Sequence, residues 1–85
     1  MTEEQVGIVV KFFPKPSVAA VEVTGGSIRK GDTLHYKGHT TDFTEAVASM
    51  ELDNRPIEEA KAGDMIGVKV KDRVRESDKV YKVVE

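Results

Sequence analysis

The sequence predicts an all-β domain that closes into a small barrel of six strands. Apolar residues recur with a period of two in most segments, and clusters of glycine, proline and polar residues separate these segments. No segment keeps a helical period beyond one turn. Closure suits so short a chain because a barrel leaves few strand edges for other chains to pair with.

The predicted strands follow one another along the chain. The first spans residues 5–13 and ends at Pro14, because proline cannot donate a backbone hydrogen bond to a neighbouring strand. The second spans residues 18–24 and ends at Gly25 and Gly26, which adopt positive φ at little cost. Later strands are predicted at residues 33–37, 41–52, 66–70 and 79–84.

Two segments depart from simple alternation. The apolar parity changes within residues 41–52, which predicts a β-bulge or a strand that changes face. Residues 57–63 are compatible with a single helical turn. A short motif of Gly or Ser, then Asp, then a strand also recurs, and we predict a turn at each copy. The copies are Gly31-Asp32, Gly63-Asp64 and Ser77-Asp78.

Length and composition limit the function. The 85 residues have room for one small domain, which we place at residues 1–85 with residues 1–4 as a flexible tail. The absence of cysteine excludes disulfides and thiolate zinc sites. The longest apolar run, residues 18–21, is too short to cross a bilayer, and we find no secretion signal. We therefore expect a cytoplasmic protein without membrane contact.

Two motifs resemble patterns that carry chemistry. Gly26–Thr33 has the spacing of a phosphate-binding loop, but Asp32 stands where lysine is required and a strand follows it, so we interpret it as a hairpin turn. His39 and Asp42 flank two threonines, which is compatible with nucleophilic catalysis, although a turn stabilised by Asp42 is the simpler interpretation. The histidines and carboxylates lack metal-ligand spacing, and we expect no metal or cofactor.

The basic residues are the stronger indication of function. Six cations and three anions lie between Lys69 and Lys82, in a chain whose net charge is −2. Rows of exposed cations can position phosphates without reading a base sequence, whereas the alternative is a charged exterior that keeps the protein soluble. The candidate basic face comprises Lys69, Lys71, Arg73 and Arg75, with Lys11 and Lys15 on the first hairpin.

Several segments also resemble a known family by their order along the chain. They are Val6–Val9, Val18–Val23, Ile28–Leu34, Val47–Glu51 and Ile57–Val68. Together they resemble the second-domain β-barrel of translation GTPases such as elongation factor Tu and initiation factor two. Three further segments are more similar to stand-alone translation elongation factor-like proteins: Gly38–Phe43, Ser49-Met50 and Val74–Val83.

This resemblance implies a six-stranded Greek-key barrel without the GTPase domain, and therefore no GTP binding. A comparable barrel occurs at the end of collagenase-like peptidases, where it is not the catalytic part. Glu51 matches an acid with which the second domain of elongation factor Tu helps to hold the aminoacyl end of tRNA. Asn54 and Met65 replace an arginine and an asparagine of that family, so a complete aminoacyl-tRNA pocket is not implied.

Three functional hypotheses follow. The first is a non-enzymatic docking module that contacts tRNA, ribosomal RNA or a translation-related protein through the basic face and Glu51. The second is a protein–protein adaptor, or an auxiliary subunit of an enzyme such as a peptidase or an RNA-modifying enzyme. The third is a small enzyme that uses His39 and Asp42 and requires a cleft around His39. The contact residues of the second would be His39, Thr40, Thr41, Asp42 and Arg55.

Overall fold

The computed structural model describes residues 2–84, and this part of the chain contains ten antiparallel β-strands joined by turns and loops. The all-β prediction is therefore confirmed. The strands are β1 (Thr2–Phe13), β2 (Val18–Val23), β3 (Ser27–Arg29), β4 (Thr33–Lys37), β5 (Asp42–Ala46), β6 (Met50–Leu52), β7 (Arg55–Pro56), β8 (Glu59–Lys61), β9 (Met65–Lys69) and β10 (Lys79–Val84). Over this range the structure contains no helix with the length and apolar character that crossing a membrane requires.

Within the described residues the strands form a sheet whose two end strands do not pair with each other, so the prediction of a closed six-stranded barrel is wrong. Eight of them form one sheet in the order β5-β4-β10-β1-β2-β9-β6-β7, and β3 pairs separately with β8. The predicted strand at residues 41–52 is broken because Val47 leaves the ladder and exchanges hydrogen bonds with Asp32 and Gly31, each at 2.8–2.9 Å. Residues 59–61 are a strand rather than part of a helical turn, because β3 supplies a partner.

The first strand reaches further toward the N-terminus than predicted. Thr2, Glu3 and Glu4 pair with β10, so within the described residues they are part of the sheet and not a flexible tail. Met1, which the predicted tail includes, lies outside the described residues.

Two register shifts bend β1 so that it can pair with β10 through its first part and with β2 through its second. The shifts lie between Gln5 and Gly7 and between Val9 and Lys11. They change which side chains face the core, so that Val9 is buried whereas Val10 is 40% exposed. A Cβ atom on Gly7 would lie 2.8 Å from the carbonyl oxygen of Glu22, and the close approach of β1 and β2 therefore requires glycine there.

The hydrophobic core consists mainly of alternate residues of the strands, as the period of two predicts. Its largest members, all buried, include Tyr36, Ile28, Leu34 and Met50. The ring of Tyr36 stacks on Phe43 with a centroid distance of 5.0 Å. Burial of the hydroxyl raises the pKa of Tyr36 far above its ordinary value, because the phenolate would lose its hydration.

The recurring Asp motif forms the same turn three times, and we call these the aspartate turns (residues 29–32, 61–64 and 75–78). In each, the amide of the first residue donates to Oδ2 of the aspartate at 2.8, 2.9 and 2.8 Å, respectively. The aspartate amide donates back to the carbonyl of the first residue at 3.0, 3.0 and 3.1 Å. The third residue has positive φ in every copy: Gly31 (97°), Gly63 (99°) and Ser77 (74°).

Candidate functional site

The segment between β9 and β10 presents the predicted cations, and we call it the basic loop (residues 70–78). Val70 and Val74 are buried and fix its backbone against the core, while residues 71–73 and 75–77 remain at the surface. Glu45 Oε1 accepts the amide of Lys71 at 2.9 Å, and the third aspartate turn closes the loop at Asp78. Arg73 and Arg75 are therefore exposed on a backbone that hydrogen bonds and buried neighbours attach to the rest of the domain.

Two clefts lie on either side of Arg73 and Arg75 and contain part of the predicted site. The first has a volume of about 280 Å³ and is also lined by Thr40, Thr41 and Asp42. The second has a volume of about 520 Å³ and combines the two arginines with the following side chains: Lys11, Phe12, Pro14, Val74 and Glu76. The structure thus brings Lys11 together with Arg73 and Arg75, and the predicted partner loop next to them.

Six other predicted residues lie outside these two clefts, and one of them, Glu51, lines the third cavity described below. Lys15 is at the tip of the β1–β2 hairpin and Lys69 is opposite Val18 in the sheet. The remaining three, all exposed, are Lys71, His39 and Arg55. Three of the six predicted cations thus line the two clefts and three do not, and contact of the cations with RNA stays a prediction.

Asp42 is engaged by His35, not by His39 as the sequence suggested. His35 Nε2 lies 2.5 Å from Asp42 Oδ1, and His35 Nδ1 lies 2.8 Å from Glu3 Oε2. These bonds, first that to Asp42 and then that to Glu3, raise the pKa of His35 because both favour the doubly protonated ring. The bond to His35 lowers the pKa of Asp42 in turn. Both ring nitrogens are occupied, so His35 has no nitrogen free to activate a hydroxyl.

A third cavity, which sequence reasoning missed, lies on the outer surface of the large sheet. We call it the apolar groove, and its volume is about 410 Å³. Its apolar lining comes from β1, β2 and β9 and consists of Phe13, Val18, Ala20, Met65, Ile66 and Gly67. These residues come from three strands, and the pairing of β2 with both β1 and β9 brings them together. Periodicity within one segment contains no signal for such a site.

The rim of the apolar groove contains the three positions that the family resemblance singled out. Glu51, Asn54 and Met65 all line it, together with Asp53. The side chain of Met65 is 47% exposed and makes that wall apolar. The apolar groove is therefore a depression lined by apolar side chains and by the carboxylates of Glu51 and Asp53.

Comparison with known proteins places the sequence next to segments of proteases. Over 82 residues, 95% of the chain, it is 40% identical to an uncharacterised protease of Methanocaldococcus jannaschii. Over 78 residues, 91% of the chain, it is 33% identical to a collagenase of Porphyromonas gingivalis. The matched parts are 20% and 22% of those proteins, so the chain spans about a fifth of the length of the curated relatives it matches. No protein-family model matches the chain.

Solved structures show the same fold. The C-terminal domain of a Geobacillus thermoleovorans protein assigned to the U32 peptidases has a TM-score of 0.87 and 20% identity, and the match covers 95% of this chain and 93% of that one. GDP-bound aIF5B from Aeropyrum pernix has a TM-score of 0.68 and 24% identity, over 98% of this chain but 14% of that one. At such identities the likenesses establish the fold alone.

These comparisons overturn the prediction of a stand-alone translation elongation factor-like protein. The relatives in sequence are a protease and a collagenase, and the peptidase domain superposes better than the translation factor does. The error has a physical origin, because the pattern of strands and turns specifies a fold that both classes of protein use. Such a pattern does not identify the function.

Proposed function

We propose that the chain is a non-catalytic auxiliary domain that binds polypeptide on behalf of a peptidase. The observation that carries this proposal is the 40% identity, over nearly the whole chain, to about a fifth of an archaeal protease. The fold supports the same reading, since it is that of the C-terminal domain of a protein assigned to the U32 peptidases.

The geometry of the surface favours binding over catalysis. Within residues 2–84, His35 is held by two carboxylates, and His39 lines none of the three cavities described above. The same part of the chain presents two charged clefts and the apolar groove, all open to solvent. An auxiliary role in recognition needs such surfaces and no nucleophile.

A domain exchange in the Methanocaldococcus jannaschii protease tests the proposal. We would delete the segment that matches this chain and, in a second version, replace that segment with this chain. We expect the deletion to preserve hydrolysis of a short peptide but to raise KM for a long polypeptide about tenfold, or ~1.4 kcal/mol of binding. The replacement should restore the KM.

A replacement that carries Gly7→Val serves as the control, because a branched side chain there collides with the backbone of β2 and disrupts the fold. It should behave like the deletion. The proposal is wrong if the deletion leaves KM for the polypeptide unchanged, or if the isolated chain hydrolyses peptides by itself.

A further inference from the structure

We propose that the apolar groove binds an extended polypeptide segment in which a large apolar side chain stands next to a lysine or an arginine. This inference rests on the proposed function, because it names the chemistry of the polypeptide that the domain takes. The floor of the groove, its walls and the charge at its rim each contribute a separate argument.

The floor of the apolar groove is low because small residues meet at the centre of the sheet. Ala20 of β2 is the ladder partner of Gly67 of β9, and Gly67 is in turn the ladder partner of Glu51 of β6. Two neighbouring strands, β2 and β9, therefore present at most a methyl group at adjacent positions, and Glu51 of β6 stands beside them. The resulting depression can accept a side chain from another polypeptide.

The walls of the apolar groove are large hydrophobic side chains that water contacts. Phe13 is 42% exposed and Met65 is 47% exposed, and within residues 2–84 the third exposed side chain of this kind is Val10. Phe13 of β1 is the ladder partner of Val18 and Met65 of β9 is that of Glu22, so the small residues lie between these two walls. An apolar side chain on the floor would remove both from water, which is favourable.

The charge at the rim of the apolar groove selects the neighbour of that apolar side chain. Glu51 and Asp53 are exposed, and among the described residues neither takes part in an ion pair or a side-chain hydrogen bond. One cation, Lys11, lies at the Phe13 wall, where its Nζ is 5.3 Å from the centroid of the Phe13 ring. A bound segment therefore gains most when its own cation is directed toward Glu51 and Asp53.

A titration of the ¹⁵N-labelled chain with synthetic peptides, followed by NMR, tests the inference. Three extended Gly/Ser peptides would carry Phe-Lys, Phe-Glu or Ala-Lys at their centre. We expect the amides of Ala20, Glu51 and Gly67 to shift, with the Phe-Lys peptide binding about tenfold more tightly than either of the others. The inference is wrong if Phe-Glu binds as tightly as Phe-Lys, or if the shifts lie only in the basic loop.

Matched variants separate the groove from general effects of hydrophobicity and charge. Met65→Ser should abolish most of the shifts, whereas Val10→Ser removes an equally exposed side chain outside the groove and should change nothing. Glu51→Lys should invert the preference toward Phe-Glu, and the control Glu4→Lys changes the net charge equally at an exposed position of the β1–β10 ladder outside the groove. Equal behaviour within either pair would overturn the inference.

The outcomes also separate this inference from the proposed function. If polypeptides shift amides elsewhere and the domain exchange restores KM, the groove assignment is wrong but the auxiliary role stands. If no peptide changes the chemical shift of any amide, the groove assignment is wrong. The domain exchange alone then decides whether the domain has the auxiliary role.

Discussion

The aspartate turns at residues 61–64 and 75–78 make the same two hydrogen bonds but differ in what surrounds them. Asp64 is half-buried and forms no ion pair within the described residues. Asp78 is 5% exposed, and Gly38 approaches it so closely that a Cβ atom there would lie on its carboxylate. The same local motif therefore contributes differently to stability, depending on the segments that cover it.

The backbone of the third turn is bonded to Val9 of β1, whereas that of the second turn makes the equivalent pair of bonds with Val23 of β2, at 2.8 and 2.9 Å. The carbonyl of Asp78 accepts the amide of Val9 at 2.8 Å, and the amide of Ser77 donates to the carbonyl of Val9 at 2.8 Å. This pair of bonds joins the basic loop to the second register shift of β1. The third turn thus holds Arg73 and Arg75 in place between the two clefts.

The largest effect is expected for Asp78→Ala. The substitution leaves the part-buried amide of Arg75 without its acceptor and a void beneath Gly38, so we expect a loss of about 2–3 kcal/mol of stability. Urea unfolding of the variant measures it. The matched change Asp64→Ala removes the same bond at the exposed Lys61 amide and should cost about 1 kcal/mol. Equal losses would contradict the comparison.

Asp32→Ala is expected to be intermediate, at about 1–2 kcal/mol. Asp32 Oδ2 accepts the amide of Arg29 and also lies 3.2 Å from Lys82 Nζ, in a pair whose side chains are only 24% and 23% exposed. A double-mutant cycle with Lys82→Met isolates the ion pair and should give a coupling of about 0.5–1 kcal/mol. A coupling of zero would assign the whole loss to the turn.

Ser77→Gly should stabilise the protein by about 0.5–1 kcal/mol, because Ser77 has a φ of 74° where the other two turns have glycine. The reverse comparison is Gly63→Ala, in which the new Cβ meets no atom within 4 Å and any loss reports backbone strain alone. Thermal unfolding of both variants measures the difference. A destabilised Ser77→Gly variant would show that the serine side chain has a role of its own.

The smallest effect is expected in the pH dependence of stability. The aspartates of the three turns accept hydrogen bonds from backbone amides, which do not titrate, whereas Asp42 bonds to an imidazole, which does. The raised pKa of His35 means that its contribution is complete below pH 6.5 and is lost as pH rises through the raised value. The difference in Tm between the protein and His35→Gln should therefore be larger at about pH 5.5 than at about pH 8.5. A difference independent of pH would contradict the proposed pairing with Asp42.

Local chemistry made much of the fold predictable. The strand at residues 33–37 was placed correctly, and the Asp motif indicated all three turns, because alternation and turn residues act over a few positions. The break at Val47 and the strand at residues 59–61 were missed because their hydrogen-bond partners are distant, in the turn at residues 31–32 and in β3. Nothing in Ser77 itself indicates positive φ.

The candidate surfaces divide in the same way. The cations of the basic loop could be found from the sequence, since Lys71, Arg73 and Arg75 are alternate residues of one short segment. The apolar groove could not, because Phe13, Ala20 and Met65 meet only through the register of β1, β2 and β9. The pairing of His35 with Glu3 likewise depends on β10 lying between β4 and β1.

The pairing of β1 with β10 also has a consequence for kinetics. Thr2 lies opposite Val84, and β1 occupies an interior position of the sheet, so its ladder joins residues 82 positions apart. Closing so long a loop lowers the chain entropy before favourable contacts can compensate for the loss. Sheets rich in such contacts fold in about milliseconds to seconds. Until β10 has been synthesised, β1 exposes an unpaired edge. A protein built this way acquires its fold after translation of the segment is complete rather than strand by strand.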